Sequence, residues 1–149
     1  MMDDKTKRLV NRALAAMEAT AMTYGAELTE PKHVADYLQL KLGRLDYECF
    51  SIVTLTAQNA VISYHEMFRG TLAQTSVYPR EILKTCLTDG AAAVILAHNH
   101  PSGKLDPSEA DKYLTTLLKT ALQYIDVRVL DHFIVTARGH LSFAERGLV

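Results

Sequence analysis

The chain reads as one mixed α/β domain, and three observations carry that class. Stretches with apolar residues at helical spacing alternate with short β-branched runs, in the order helix, helix, hairpin, helix, strand, helix, hairpin. The apolar run AAAVILA over 91–97 stands alone between two helical stretches, where a central strand belongs. With 149 residues, 48% of them hydrophobic, the chain can bury about 70% of the surface its unfolded form exposes, so one core needs no disulfide framework.

Each element has its own signal. Val10, Leu14, Met17 and Ala21 recur at helical spacing and predict an amphipathic helix from Asp4 to Tyr24. A loop, GAELTE, follows, and Thr29 with Pro31 opens a short helix whose apolar face is Val34, Tyr37 and Leu38; Gly43 ends it. CFSIVTLT over 49–56 is apolar on both alternating sets, the pattern of a strand buried on both faces. AQN turns the chain, and AVISYHEMF over 60–68 returns as the second strand of a hairpin. YPREILKTCL over 78–87 is helical, with Pro79 in its first turn and Asp89-Gly90 closing it.

DPSEADKYLTTLLKTALQYI over 106–125 is the strongest helical pattern. Asp106 reads as its N-cap, Pro107 as its first residue and Glu109 as the partner completing a capping box. Leu114, Leu117, Leu118, Ala121 and Ile125 form its expected buried stripe. DVRVLDHFIVTA over 126–137 and HLSFAE over 140–145 are strands joined at Arg138-Gly139. There is no repeat, low-complexity segment or domain linker.

Composition narrows the function. The formal charge is −1, and Lys and Arg are spread along the chain, which argues against strong nucleic-acid binding. Cys49 and Cys86 form no C-x-x-C pair and read as free thiols of a reducing compartment. No apolar run reaches the roughly 18 residues of a membrane span, and MMDDKTKRLV lacks the apolar core of a signal peptide. The expected setting is cytoplasmic, without a membrane.

Chemistry concentrates in AHNHPSGKLDPSEADK over 97–112. Side chains at i and i+2 of an extended segment share a side, so His98 and His100 project together if the strand continues past Ala97. The chain then turns and re-enters as a helix that carries Ser108 and Asp111 on nearly one face. Two imidazole nitrogens and a carboxylate oxygen would converge, leaving a fourth position for water, as in catalytic rather than structural zinc sites. Spacing alone leaves two readings open: a metal site, or a polar loop that holds two histidines.

His98-x-His100-x7-Ser108-x2-Asp111 resembles the JAMM motif of MPN-domain metalloproteases. FRGTL (68–72), YPREILK (78–84), AHNHPSG (97–103), DPSEAD (106–111), LDHFIV (130–135) and SFAERG (142–147) resemble one branch, the RadC family. The resemblance runs from Leu45 to the C-terminus. It implies an MPN/JAMM-like mixed sheet flanked by helices, similar to the cytidine-deaminase fold, over 45–149, behind a helical lead over 1–44. Longer RadC proteins carry a helix-hairpin-helix region ahead of this domain, so the chain looks like the short, stand-alone form.

The resemblance further implies one zinc per chain, held by His98, His100 and Asp111, with Ser108 stabilising an oxyanion. Glu48, before the first hairpin strand, holds the place of the family's general base; Glu66 on the second strand is its competitor, because both ends of a hairpin lie side by side. The implied function is a zinc-dependent hydrolase of peptide or isopeptide bonds, with a peptide or protein substrate. The alternative is a metal-binding, non-enzymatic RadC-like protein acting as a DNA-repair-associated or assembly factor. A zinc deaminase is disfavoured, because its H-x-E and P-C-x-x-C signature is missing. His132, beside Asp131, reads either as a cleft residue or as a hydrogen-bonded strand histidine. His33, His65 and His140 read as surface or core residues, and Arg80 as solvated or facing the site.

Overall fold

The computed structural model describes residues 2–24, 31–70 and 77–149; the loop over 25–30, with Thr29, and the Thr71-Leu72 end of FRGTL lie outside them. The elements are helices α1 (Asp4–Tyr24), α2 (Pro31–Leu42), α3 (Pro79–Asp89) and α4 (Glu109–Gln123), and strands β1 (Cys49–Leu55), β2 (Val61–Arg69), β3 (Ala93–Asn99), β4 (Arg128–Thr136) and β5 (Gly139–Ser142). The strands form one five-stranded sheet in the order β2-β1-β3-β4-β5. β3 and β4 pair in parallel, connected through α4, and every other pair is antiparallel. This is the mixed α/β class the sequence predicts.

Alternation along the strands builds two apolar layers. Cys49, Val53, Ile95 and Phe133 face α2, whose Val34, Ala35, Leu38 and Leu42 are buried against them. Phe50, Ile52, Val94, Leu96 and Val129 face α3 and α4, whose Ile82, Cys86, Leu118 and Leu122 complete the second layer. Because both faces are covered, every residue of β1 and of β3 is buried, as the continuous apolar patterns require. Truncating a fully buried leucine such as Leu38 or Leu118 to alanine would cost about 2–5 kcal/mol. At Gly43 a Cβ would stand 2.6 Å from both Gln39 O and Thr136 O, so only glycine lets the end of α2 approach the end of β4 this closely.

Three expectations need correction. α4 begins at Glu109, and its N-cap is Ser108, not Asp106; the capping box closes with Asp111, not Glu109. The buried stripe of α4 is Asp111, Thr115, Leu118 and Leu122, while Leu117 is exposed. The apolar count missed this face because two of its four residues are polar. The strand expected over 140–145 is only Gly139–Ser142, after which a turn is closed by Leu148 N–H donating to Phe143 O at 2.9 Å.

Candidate metal centre

The centre lies where β3 ends and α4 begins. β3 continues through His98 and Asn99, and the His100 N–H donates to Val135 O at 3.0 Å, which keeps the chain extended one residue further. His98 and His100 therefore point the same way, with their Nε2 atoms 2.9 Å apart. Asp111 is brought in by the capping box. Its backbone N–H donates to Ser108 Oγ at 3.0 Å, and its Oδ2 accepts from Ser108 N–H at 2.8 Å. That leaves Asp111 Oδ1 3.4 Å from His98 Nε2, and Oδ2 3.4 Å from His100 Nε2.

These separations can be compared with those around an ion. Donors on a tetrahedral zinc at ordinary Zn–N and Zn–O lengths sit about 3.3 Å apart. The two Nε2 atoms are 2.9 Å apart and each lies 3.4 Å from a different oxygen of Asp111, so the donor types and separations suit a small divalent ion such as zinc. Among the described residues, His98, His100 and Asp111 are a group of three whose ligand atoms lie within 4.8 Å of one another.

Electrostatics sharpen the picture. Burial pushes the His98 imidazole below its ordinary range, against the pull of Asp111. The neighbouring Asp111 carboxylate holds His100 above its ordinary range, against burial. Burial would raise the Asp111 carboxyl, but the contacts from His100 and His98 outweigh it and hold the carboxyl well below the usual range. His132 is depressed further, by complete burial and then by His98.

Glu48 stands one residue before β1, and Phe50, two residues on, pairs with His98 and stacks on its ring. The Glu48 charge reaches both His98 and His100 and favours their protonated forms. Glu66 pairs in register with Ser51, on the side of Cys49, and its carboxylate is held by Arg69 at 3.2 Å. Arg80 is exposed, 3.5 Å from Glu81.

Sequence reasoning passed over one buried group, Asn99, and left a second, His132, between a cleft residue and a hydrogen-bonded strand histidine, of which the structure shows the latter. Asn99, the residue between the histidines, must point to the opposite face. There its Oδ1 accepts from Cys49 N–H at 2.7 Å and its Nδ2 donates to Tyr47 O at 2.8 Å, gripping the backbone on both sides of Glu48. The signal available was alternation itself. His132 does not line an open cleft: it is fully buried behind His98, with its Nε2 2.8 Å from His98 Nδ1 and its Nδ1 2.6 Å from Thr115 Oγ1. No spacing rule joins His132 to Thr115, because the contact is made only when α4 packs on β4. Of the histidines read as surface or core, His65 meets Asp89 at 2.7 Å.

The UPF0758 protein of Leptothrix cholodnii is 55% identical over 141 residues, covering 95% of this chain and 62% of that protein. Those of Chromobacterium violaceum and Thiobacillus denitrificans are 50% identical over 139 residues and 57% identical over 129 residues; the alignments cover 93% and 87% of this chain and 60% and 58% of those proteins. The chain thus spans about three fifths of the length of the curated relatives it matches. The family model described as RadC-like JAB domain matches residues 28–148, which includes α2 as well as the whole sheet, and the chain belongs to that family.

Proposed function

We propose that the chain is a zinc-dependent hydrolase that cleaves an amide bond, peptide or isopeptide, in a peptide or protein substrate. One observation carries the reading. Two imidazole nitrogens and a carboxylate converge at zinc-like separations at a strand end, with a second carboxylate, Glu48, in electrostatic reach of both rings. A zinc ion held by His98, His100 and Asp111 would supply Lewis acidity and make water acidic enough to react near neutral pH.

The remaining work falls to the chain. Glu48 takes the proton of the attacking water and returns it to the leaving nitrogen, so that one water and one amide become a carboxylic acid and an amine. Asn99 holds the peptide units on either side of Glu48 while this happens. Ser108 Oγ accepts from Asp111 N–H, which leaves its own proton to donate to the substrate carbonyl oxygen as charge gathers there. A groove of about 1220 Å³ is lined by His100 and by the turns at 43–46, 101–103 and 136–138, and would offer an extended substrate a path toward His100. Cys49 and Cys86, both free and raised by burial to about 11, suit a reducing, cytoplasmic setting.

The test is zinc stoichiometry by elemental analysis, together with hydrolysis of quenched peptide pools and isopeptide-linked conjugates, for wild type and Glu48→Gln. Both proteins should hold about one zinc per chain, and the variant should lose on the order of 10²–10⁴ in turnover. A wild type that takes up no zinc when supplied with it ends the reading. Zinc uptake without cleavage of any amide pool leaves a metal-binding protein that is not a peptidase.

A further inference from the structure

The buried polar chain behind His98 ends at a backbone carbonyl, and that end fixes where every proton in it sits. Thr115 Oγ1 donates to Asp111 O at 2.8 Å, the i−4 carbonyl of its own helix. A carbonyl oxygen only accepts, and a hydroxyl has one hydrogen, so Thr115 can face His132 Nδ1 at 2.6 Å only as an acceptor. His132 therefore carries its proton on Nδ1. Its ring is fully buried, which disfavours a second proton, so Nε2 is bare and accepts from His98 Nδ1 at 2.8 Å. His98 is left with a bare Nε2, the atom that faces His100 and Asp111.

We propose that Thr115 and His132 form a one-way relay that locks His98 in the tautomer presenting its Nε2 lone pair to the metal, which makes both of them positioning residues of the centre. The inference rests on the metal reading above and goes beyond it, because it concerns how one ligand is prepared before any ion arrives. His100 has its Nδ1 proton placed by a single bond, to Lys104 O at 2.8 Å. His98 Nδ1 instead meets a second imidazole, and the relay links it to a carbonyl. The carbonyl belongs to Asp111, so one residue supplies a carboxylate to the centre and, through its backbone, sets the direction of the proton chain. Phe50 and Phe143 pack on the His132 ring at centroid distances of 5.8 and 4.6 Å and hold its orientation.

The decisive variant is Thr115→Val, which keeps the volume of a fully buried side chain and removes the relay's anchor. It should weaken zinc binding about 10-fold by chelator competition, and His132→Phe should weaken it by about 10–100-fold. Thr115→Ser, which restores the hydroxyl, should behave as wild type. The second readout needs no metal: imidazole nitrogen-15 shifts of the metal-free protein should place the His98 proton on Nδ1 in wild type and partly on Nε2 in Thr115→Val. Packing damage alone would weaken binding in Thr115→Val without moving that proton, and so would overturn the relay. Wild-type zinc affinity in Thr115→Val, with His98 still protonated on Nδ1, would overturn it as well. A wild type that takes up no zinc removes the metal reading, while the nitrogen shifts still decide whether the lock exists.

Discussion

Two clusters of histidine, aspartate and threonine stand at opposite ends of the sheet. At the end of β1, Thr54 Oγ1 donates to Asp89 Oδ2 at 2.6 Å, and His65 Nε2 meets the same oxygen at 2.7 Å. Near its start, His98, His100 and Asp111 meet at 2.9–3.4 Å, with Thr115 behind them. The residue types match, and the hydrogen-bond arithmetic does not. In the first cluster two donors meet one acceptor, and the polar atoms satisfy one another. In the second, tautomers set at Lys104 O and Asp111 O turn the Nε2 atoms of two rings toward one carboxylate, whose charge favours a proton on His100 at the place a metal ion would take. A histidine beside an aspartate is not by itself a site. A surplus of lone pairs aimed at one point is what calls for a cation.

The largest expected effect breaks the comparison if it fails. His98→Ala and Asp111→Asn should lose zinc by a factor larger than the roughly 10–100-fold typical of supporting residues. His65→Ala should keep the full complement. The measurement is zinc content after reconstitution and desalting, with circular dichroism to confirm folding. Equal zinc loss in His65→Ala would mean that histidine–aspartate proximity, not donor surplus, decides uptake.

A smaller effect is expected at Ser108, which serves the helix and, in the proposed reaction, the substrate. Ser108→Ala removes the hydroxyl that caps α4, at about 1 kcal/mol of stability. If the hydroxyl also supports an oxyanion, turnover should fall on the order of 10²-fold with zinc retained. Unchanged activity per folded molecule would reduce Ser108 to a cap.

Much of this was legible in the sequence, for reasons that also mark where reading stopped. β1 and β3 were legible because burial on both faces leaves no polar alternation to misread, and α3 because Pro79 and Gly90 bracket it, the glycine at φ +64°. His98, His100 and Asp111 could be grouped because strand alternation and a capped helix are local rules. The start of α4 was misplaced for an instructive reason. DPSEAD offers two overlapping capping patterns, Asp106 to Glu109 and Ser108 to Asp111, and propensity does not choose between them. Packing chooses, because only the second brings Asp111 to the histidines. The Thr115–His132 contact and the Asn99 grip on Tyr47 and Cys49 join residues far apart in sequence, and periodicity carries no such information.

The smallest effect tests the satisfied cluster on its own terms. Burial pushes the Asp89 carboxyl up, but the hydrogen bonds from Thr54 and His65 outweigh it, and the net result lies below the ordinary value of 3.8. A carboxylate with a depressed folded pKa binds fewer protons when folded than when unfolded. Its contribution to stability is therefore complete above about pH 4 and is lost as the pH falls through the folded value. Asp89→Asn should cost on the order of 1 kcal/mol at pH 7, as for a hydrogen bond to a partly exposed charged group. The gap between wild type and variant in urea denaturation should narrow as the pH falls below about 4, because the unfolded carboxyl then takes up protons that the folded carboxylate resists. Zinc content should not change, since Asp89 lies beside Thr54 and Thr54 pairs with Val94, four residues before His98. A gap that widens in acid would mean that Asp89 is held protonated by burial rather than ionised by its partners. A loss of zinc in Asp89→Asn would couple the two ends of the sheet and undo the contrast between a cluster that satisfies itself and one that does not.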